Sequence, residues 1–513
     1  MSKHLLKSGV VVSAMTFLSR VLGLVRDIIM ANLLGATWVS DVFIVAQKIP
    51  NFLRRLFAEG AFSQAFIPVL SEYQTHRQLN EVKRLIAETS GTLGLILLIV
   101  TLVGVLGSPV LVSMFGPGFL SESKEFELAS FLLKITFPYI LFISLTAFSG
   151  SVLNSVGRFA VPAFTPVLLN LSIISAAIIA ASAAPDVIAT ALALGIFIAG
   201  VAQLLFQLPF LWKEGLLLRP RWGWQSEGVK KILTLMAPAL FGVSVAQINL
   251  LLDTIIASFL PESGSITWLY YSDRMMEFPL GIFAIAIATV ILPSLSRFHA
   301  KKEMTSFNHT LNWGLRLVFL IGVPSAVGLF VMAEPIMLTV FQSGEFGLSD
   351  AHSASLSLKA YIIGLIGFML VKVLAPGFFS RQDTKTPVKI GVIAMSVNMV
   401  FNIILFFPLA HVGLALATSI SAVTNASLLF IALYRAKIFI PDGRWKVWFL
   451  KLILGNLVLF YFIDFQMADI QTWQNWSVLE RVENMILLVL FSVSVYFASM
   501  FLLGVRSKDL KHS

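Results

Sequence analysis

Apolar residues run along this chain in blocks of about twenty, separated by short polar stretches. The blocks fall at 9–35, 38–60, 88–115, 128–152, 160–184, 187–212, 232–260, 267–295, 311–333, 356–379, 387–409, 411–435, 446–464 and 483–504. A hydrocarbon core ~30 Å thick takes about 20 helical residues to cross. The pattern therefore predicts an all-α polytopic membrane protein with about 14 transmembrane helices. No polar interval is long enough for a soluble domain, which takes at least ~50 residues.

Composition agrees. Of 513 residues, 57% are hydrophobic and 12% charged, against about 25% charged in soluble chains. The net charge of +10 would suggest nucleic acid in a soluble protein. Here the basic residues alternate with the spans. One set of loops carries Arg77, Lys83, Arg84, Arg158, Lys213, Arg219, Arg221, Lys230, Lys231, Arg297, Lys301, Lys302, Arg381, Lys385, Lys389, Arg435, Lys437, Arg444 and Lys446. The other set carries little beyond Lys124, Lys359 and Arg481. This asymmetry predicts a multi-pass protein with both termini in the cytoplasm and no nucleic-acid partner. Lys3 and Lys7 precede a run with no small-residue cleavage site, which reads as an uncleaved first span. There is no cysteine, which excludes disulfides and thiolate chemistry.

Weak internal echoes suggest a duplicated design. GRFAVPAFTP (157–166) and SRQDTKTPV (380–388) occupy matching places, as do AFIPVLSEY (65–73) and TVILPSLSRF (289–298). They predict two pseudo-symmetric six-helix lobes, 1–212 and 213–435, followed by two further helices in 436–513. Segment 72–87 reads as an amphipathic helix on the membrane surface.

The informative residues are the charges inside the blocks, because an arginine at mid-membrane costs about 2.5–3.5 kcal/mol on insertion scales. Block 1 holds Arg20, Arg26 and Asp27; Arg20 and Asp27, seven apart, share a helical face, and Arg26 suits snorkelling. In block 2, Asp41, Lys48 and Arg55 recur at seven, and Asn51, Arg55 and Glu59 at four, giving a polar stripe beside Pro50. Block 8 groups Asp273, Arg274 and Glu277 before Pro279, and block 10 holds Lys372. Such charges predict a water-filled cationic cavity whose ligand is an anion. Asp253, Asn398, Asn402 and Thr418 offer oxygens for a hard cation such as Na⁺, or hydrogen bonds between helices. All seven histidines fall at termini, loops or span ends, and there is no zincin pattern, P-loop or nucleotide fingerprint, so no enzyme is predicted.

The segments SRVLGLVRD, SDVF, QKIPNFLRRLFAEGAFSQAFIPVLSEY, YYSDRMMEFPLG and KVLAPGFFSRQDTKTPVKI closely resemble the MurJ (MviN) lipid II flippases of bacteria. That family belongs to the MOP superfamily with MATE exporters and Wzx flippases. The resemblance spans nearly the whole chain. It implies two six-helix lobes around a central cavity, with the last two helices forming a lipid-facing groove. It implies lipid II as substrate in the cytoplasmic (inner) membrane, membrane lipids and other cell-wall synthesis proteins as partners, and no cofactor beyond a coupling ion (Na⁺ or H⁺) and the membrane potential. By position, the cavity arginines fall on Arg20, Arg26 and Arg274, with Asp41, Asn51, Arg54 and Glu59 as further polar positions. A sodium site would fall on Asp253, Asn398, Asn402 and Thr418, where Asn402 replaces a carboxylate.

Three other readings differ in kind. A MATE-like exporter handles cations, which an arginine-lined cavity repels. A Wzx-like flippase of another polyprenyl-pyrophosphate saccharide shares the charge logic. A membrane-embedded glycosyltransferase would need a general base, for which only Asp41 or Glu59 is placed, and an outer sugar site for which no large loop exists.

Overall fold

Lipid supplies no hydrogen bonds, so each apolar block must satisfy its own backbone, and helix is the local solution. The structure, a computed structural model, describes residues 3–56 and 62–506. Among the described residues, ten helices are long and apolar enough to cross a membrane. The 51-residue stretch Lys385–Arg435 breaks at Ala410 (φ 46°, ψ −127°), so it is two helices in space. The chain divides at Gly264 into two compact units.

The first unit contains α1 (Lys3–Leu34), α2 (Trp38–Leu53), α3 (Ser63–His76), α4 (Leu79–Leu106), α5 (Ser108–Phe115), α6 (Ser123–Thr136), α7 (Tyr139–Ser155), α8 (Ala160–Ile179), α9 (Pro185–Lys213) and α10 (Glu227–Ala257). Helices α1 and α8 pack together, as do α8 and α9, and α2 lies against α6. Pro50 has no N–H to give the carbonyl one turn back, Ala46. The fully buried Thr136 hydroxyl of α6 donates to Ala46 O instead, at 3.1 Å. Beyond Pro50 the backbone widens into a π-type turn at 54–56. The surface helix expected over 72–87 does not exist as one element. α3 ends at His76 and α4 starts at Leu79, because Arg77 is extended (φ −120°, ψ 163°). At the polar ends of α3 and α10, Lys231 donates to Glu72 at 2.6 Å, and that hydrogen bond holds the Glu72 carboxyl below its ordinary range.

The second unit contains α11 (Ser265–Pro279), α12 (Ile285–Ala300), α13 (Met304–Val331), α14 (Ala333–Val340), α15 (Leu348–Phe379), α16 (Lys385–Arg435), α17 (Trp445–Gln466), α18 (Ile470–Asn475) and α19 (Val478–Leu502). The α11–α12 element repeats the design of α2–α3. A helix ending near a proline, here Pro279, widens into a π-type turn at Leu280–Ala284 and continues into a helix with its own internal proline, Pro293. α15 packs on the second half of α16 through glycines. A Cβ on Gly364 would lie 2.5 Å from Ser419 Cα, and one on Gly367 2.8 Å from Val423 N. Ser419 uses the closeness to donate to Ala360 O at 2.6 Å. Helix α17 packs on α13 and α19. Its remaining faces and those of α19 expose rows of large apolar side chains, including Leu450, Ile453, Leu457, Leu490, Phe497 and Phe501.

A Cβ on Gly364 would meet Ser419 Cα as well as the Ser419 side chain, so a rotamer change alone cannot relieve the clash. Gly364→Val should lower the stability of the purified protein in detergent by about 1–3 kcal/mol or more. Gly94→Ala, whose Cβ meets nothing within 4 Å, should leave it unchanged. Thermal unfolding of both variants checks this, and equal midpoints would contradict the packing argument.

Candidate functional site

Helix α1 places two arginines in opposite situations. Arg20 is exposed, whereas Arg26 is 6% and Asp27 1% exposed. Arg26 donates from Nε (3.0 Å) and Nη2 (2.6 Å) to Asp27 Oδ1, and from Nη1 to Asn170 Oδ1 at 3.2 Å. Asn170, on α8, also donates to Ser19 O at 2.9 Å, so one amide holds both the guanidinium and the α1 backbone. All three guanidinium nitrogens are engaged, and the ion pair is neutral. This corrects two expectations. Asp27 pairs with its neighbour Arg26 and not with Arg20 on a shared face, because the long arginine side chain bends back over its own helix. Arg26 does not snorkel; it is held inside.

Helix α2 orders the polar stripe differently along its length. At its first turn, Asp41 is 6% exposed, and its Oδ2 accepts the Gly264 N–H at 2.7 Å. Gly264 sits at φ +92°, where a Cβ would also strike Ala36 O at 2.3 Å, so this tight turn needs glycine. Lys48 is half-buried and donates to Thr254 Oγ1 of α10 at 3.3 Å. Past Pro50, Arg54 donates from Nε (3.0 Å) and Nη2 (2.7 Å) to Asn51 Oδ1, a fork on one acceptor three residues back. Arg55 is half-buried beside it, and Glu59 lies outside the described residues.

In the second unit, Arg274 and Glu277 of α11 pair at 3.5 Å with side chains 35% and 44% exposed, and the Arg274 guanidinium lies 5.9 Å from the Tyr270 ring centre. Asp273 is half-buried and Lys372 of α15 is exposed. The Arg274 guanidinium is thus partly exposed beside the Glu277 carboxylate.

The two halves of α16 meet at Asn398 and Asn402, both fully buried. Asn402 Nδ2 donates to Asn398 Oδ1 at 2.5 Å, Asn398 Nδ2 to Thr418 Oγ1 at 3.3 Å, and Thr418 to Leu414 O at 3.0 Å. These three residues are brought together. Their donor set is neutral, and the Asn398 and Thr418 side-chain oxygens already accept N–H groups of the same cluster. That arrangement fits hydrogen bonding between helices better than a cation. Asp253, half-buried on α10, belongs to the first unit. Among the described residues no three His, Asp or Glu cluster in a way that could hold a metal.

Other buried arginines escaped the sequence reading. Arg316 of α13 is 8% exposed and pairs with Asp442. Its guanidinium lies 5.6 Å from the Trp445 ring centre. Arg481, one of the few basic residues in the sparse loop set, donates to Trp473 O (2.8 Å), Gln474 O (2.9 Å) and Leu338 O (3.1 Å). It fastens α14, α18 and α19 together, which explains its place against the charge asymmetry. Asn170 was also missed. A polar residue in an apolar block is the signal common to Arg316 and Asn170.

A family profile described as lipid II flippase MurJ matches residues 30–501. A probable lipid II flippase MurJ of Vibrio cholerae is 53% identical over 520 residues, covering 99% of this chain and 98% of that protein. The corresponding protein of Haemophilus influenzae is 50% identical, covering 97% and 99%. The lipid II flippase MurJ of Burkholderia cenocepacia is 39% identical, covering 98% of each. A solved structure of the lipid II flippase MurJ in an inward closed conformation superposes with a TM-score of 0.79 at 29% identity, covering 96% of this chain and 100% of that one. A MATE transporter of the MOP superfamily in an inward-facing conformation gives 0.67 at 12% identity over 84% of this chain and 98% of its own, which is a likeness of fold. By profile, by identity over its full length and by fold, the chain belongs to the lipid II flippase MurJ family.

Proposed function

We propose that this chain carries lipid II, the undecaprenyl-pyrophosphate-linked peptidoglycan precursor, from the inner to the outer leaflet of the bacterial cytoplasmic membrane by alternating access. It is a transporter, and no bond is made or broken. The observation that carries the reading is the arginine pair of α1, one exposed and one buried and compensated, in a chain whose relatives are named for this cargo. A pyrophosphate cannot cross hydrocarbon unaided, because burying its charge is prohibitive. Guanidinium groups bind phosphate oxygens through paired N–H donors. Arg20 and Arg274, both accessible, make the first contacts. Arg26 joins when the anion displaces Asp27 from it. Lys48, Asn51, Arg54 and Asp41 are further polar groups of the first unit for the headgroup, and Asp273, Glu277 and Lys372 those of the second. The prenyl tail stays in lipid along the exposed apolar rows of α17 and α19.

The basic loops face the cytoplasm in this scheme, with both termini inside. An inside-negative potential favours outward movement of an anion, by about 2.3 kcal/mol per charge per 100 mV. A returning cation, Na⁺ or H⁺, is the remaining part of the cycle. Of the oxygens named for Na⁺, those of Asn398 and Thr418 already accept hydrogen bonds, which argues for the potential as the main drive.

Two expectations follow. In cells depleted of this protein, the share of lipid II open to an impermeant cleaving agent at the outer face should fall. The wild-type chain should restore it, and Arg20→Ala or Arg274→Ala at equal abundance should not. Lipid II exposure that persists on depletion, in cells without another flippase, would discard the cargo. Separately, Asp27→Leu should cost about 3–5 kcal/mol of stability by leaving Arg26 buried without that carboxylate. The double variant Arg26→Leu/Asp27→Leu should regain part of the loss, read by thermal unfolding in detergent, yet should not transport.

A further inference from the structure

Between α9 and α10, residues 216–223 form an extended strap with no regular structure. An irregular loop is ordinarily free to vary, but this one is fitted. Leu216 is buried in a core with Val82, Leu85 and Leu211. Arg221 N–H donates to Ala87 O at 2.9 Å, and Gly223 N–H to Thr92 Oγ1 at 3.0 Å. Two glycines make the fit possible. A Cβ on Gly91 would lie 2.2 Å from Arg221 O, and one on Gly223 2.4 Å from Glu88 Cβ. The strap backbone therefore lies in a groove of α4 over residues 87–92.

With Gly223 turned inward, Trp222 and Trp224 on either side of it turn outward. They are 59% and 45% exposed, and their rings stack at 5.9 Å with planes 6° apart. Two stacked indoles left facing outward are a costly surface unless something apolar receives them. The side chains of Arg221, adjacent to Trp222 in the strap, and of Arg219, three residues before it, are exposed. The nearby carboxylates are taken by other residues: Glu88 by Arg84 at 2.7 Å, and Glu214 by Arg158 at 2.7 Å. Among the described residues, the Arg219 and Arg221 side chains make no ion pair or hydrogen bond, so the patch is cationic.

The position on α4 decides what covers it. The exposed large apolar residues of the helix's crossing part begin at Leu95 and continue through Leu98, Ile99 and Leu102. The strap ends one turn before, at Thr92. The indoles thus lie where the helix passes from polar to lipid-facing, the level at which tryptophan is enriched in membrane proteins. We propose that Trp222, Trp224, Arg219 and Arg221 form a site for the headgroup of an anionic phospholipid of the surrounding bilayer. The indoles seat at the boundary between headgroup and acyl chain, and the guanidinium groups take the phosphate. The charge and the depth select this occupant over a protein partner.

The test uses the full chain in vesicles of phosphatidylcholine carrying either brominated phosphatidylglycerol or brominated phosphatidylcholine. The signal is the tryptophan fluorescence of the wild type minus that of Trp222→Phe/Trp224→Phe, a change that keeps the aromatic packing. Brominated phosphatidylglycerol should quench this difference signal more strongly than the zwitterionic lipid. The preference should fall about fivefold for each arginine replaced in Arg219→Gln and Arg219→Gln/Arg221→Gln. Equal quenching by both lipids, or none, would overturn the proposal. So would a photo-reactive residue at position 222 that labels a protein in cells and not lipid. Unchanged thermal midpoints in the variants show that the fold is intact.

Discussion

A charge inside a membrane span must find its compensation within the protein, and this requirement organises the molecule. The fold meets it in different ways. Arg26 is neutralised by the carboxylate next to it and tied to a second helix by Asn170. Arg316 is answered by Asp442 from the turn before α17 and covered by the Trp445 ring. Arg481 is surrounded by main-chain carbonyls at the ends of α14 and α18. Each solution draws together segments distant in sequence, so the polar residues fix how apolar helices pack. That matters because lipid and leucine are equally apolar, and burial alone gives little direction to helix association in a bilayer.

Proline and glycine act on the same problem from the backbone side. α2 and α11, which carry the charged stripes, are also the helices that widen after a proline. Pro50 precedes Asn51, Arg54 and Arg55, and Pro279 follows Arg274 and Glu277. A proline frees a carbonyl that must be satisfied by another group, and at Ala46 the Thr136 hydroxyl supplies it. Such interrupted helices are tolerated only where protein or water can serve the freed groups. Their coincidence with the charged stripes is therefore physically coherent: both features require a setting other than lipid. The tight glycine contacts between α15 and α16 belong to the opposite regime, where backbones touch and nothing yields.

Much of this was legible in the sequence. Block length gave the helical, membrane-spanning class. The partners were less legible. Seven-residue spacing suggested that Asp27 meets Arg20, but a helical wheel treats side chains as short spokes. Arginine is long enough to fold back on Asp27 from the adjacent position. Asn170 carried the signal of a polar residue in an apolar block, but its pairing with Arg26 was not legible, because the two lie 144 residues apart in the chain. Segment 72–87 had the polarity of a surface helix, yet one extended residue, Arg77, splits it between two elements. Arg481 broke the loop-charge pattern for a local reason, a set of carbonyls left open at helix ends. In each case the missing information was tertiary, a partner from elsewhere or a single backbone angle.

The Arg26–Asp27 pair also bears on how a carrier of an anion can return empty. A bare guanidinium buried in the protein would cost several kcal/mol after its ligand left. The empty protein would then be trapped in whichever state exposes that group to water. A carboxylate at the adjacent position removes the penalty, because the arginine exchanges one anion for another without moving far. Asp27 is itself only 1% exposed and so cannot be solvated separately once the arginine turns away. Its own desolvation then works against the ligand and weakens binding. In the proposed cycle this is useful, since a cargo held too tightly on the inner side could not be released on the outer one. In the proposed cycle, the difference between Arg20, exposed, and Arg26, compensated, is a division between capturing a pyrophosphate and letting it go.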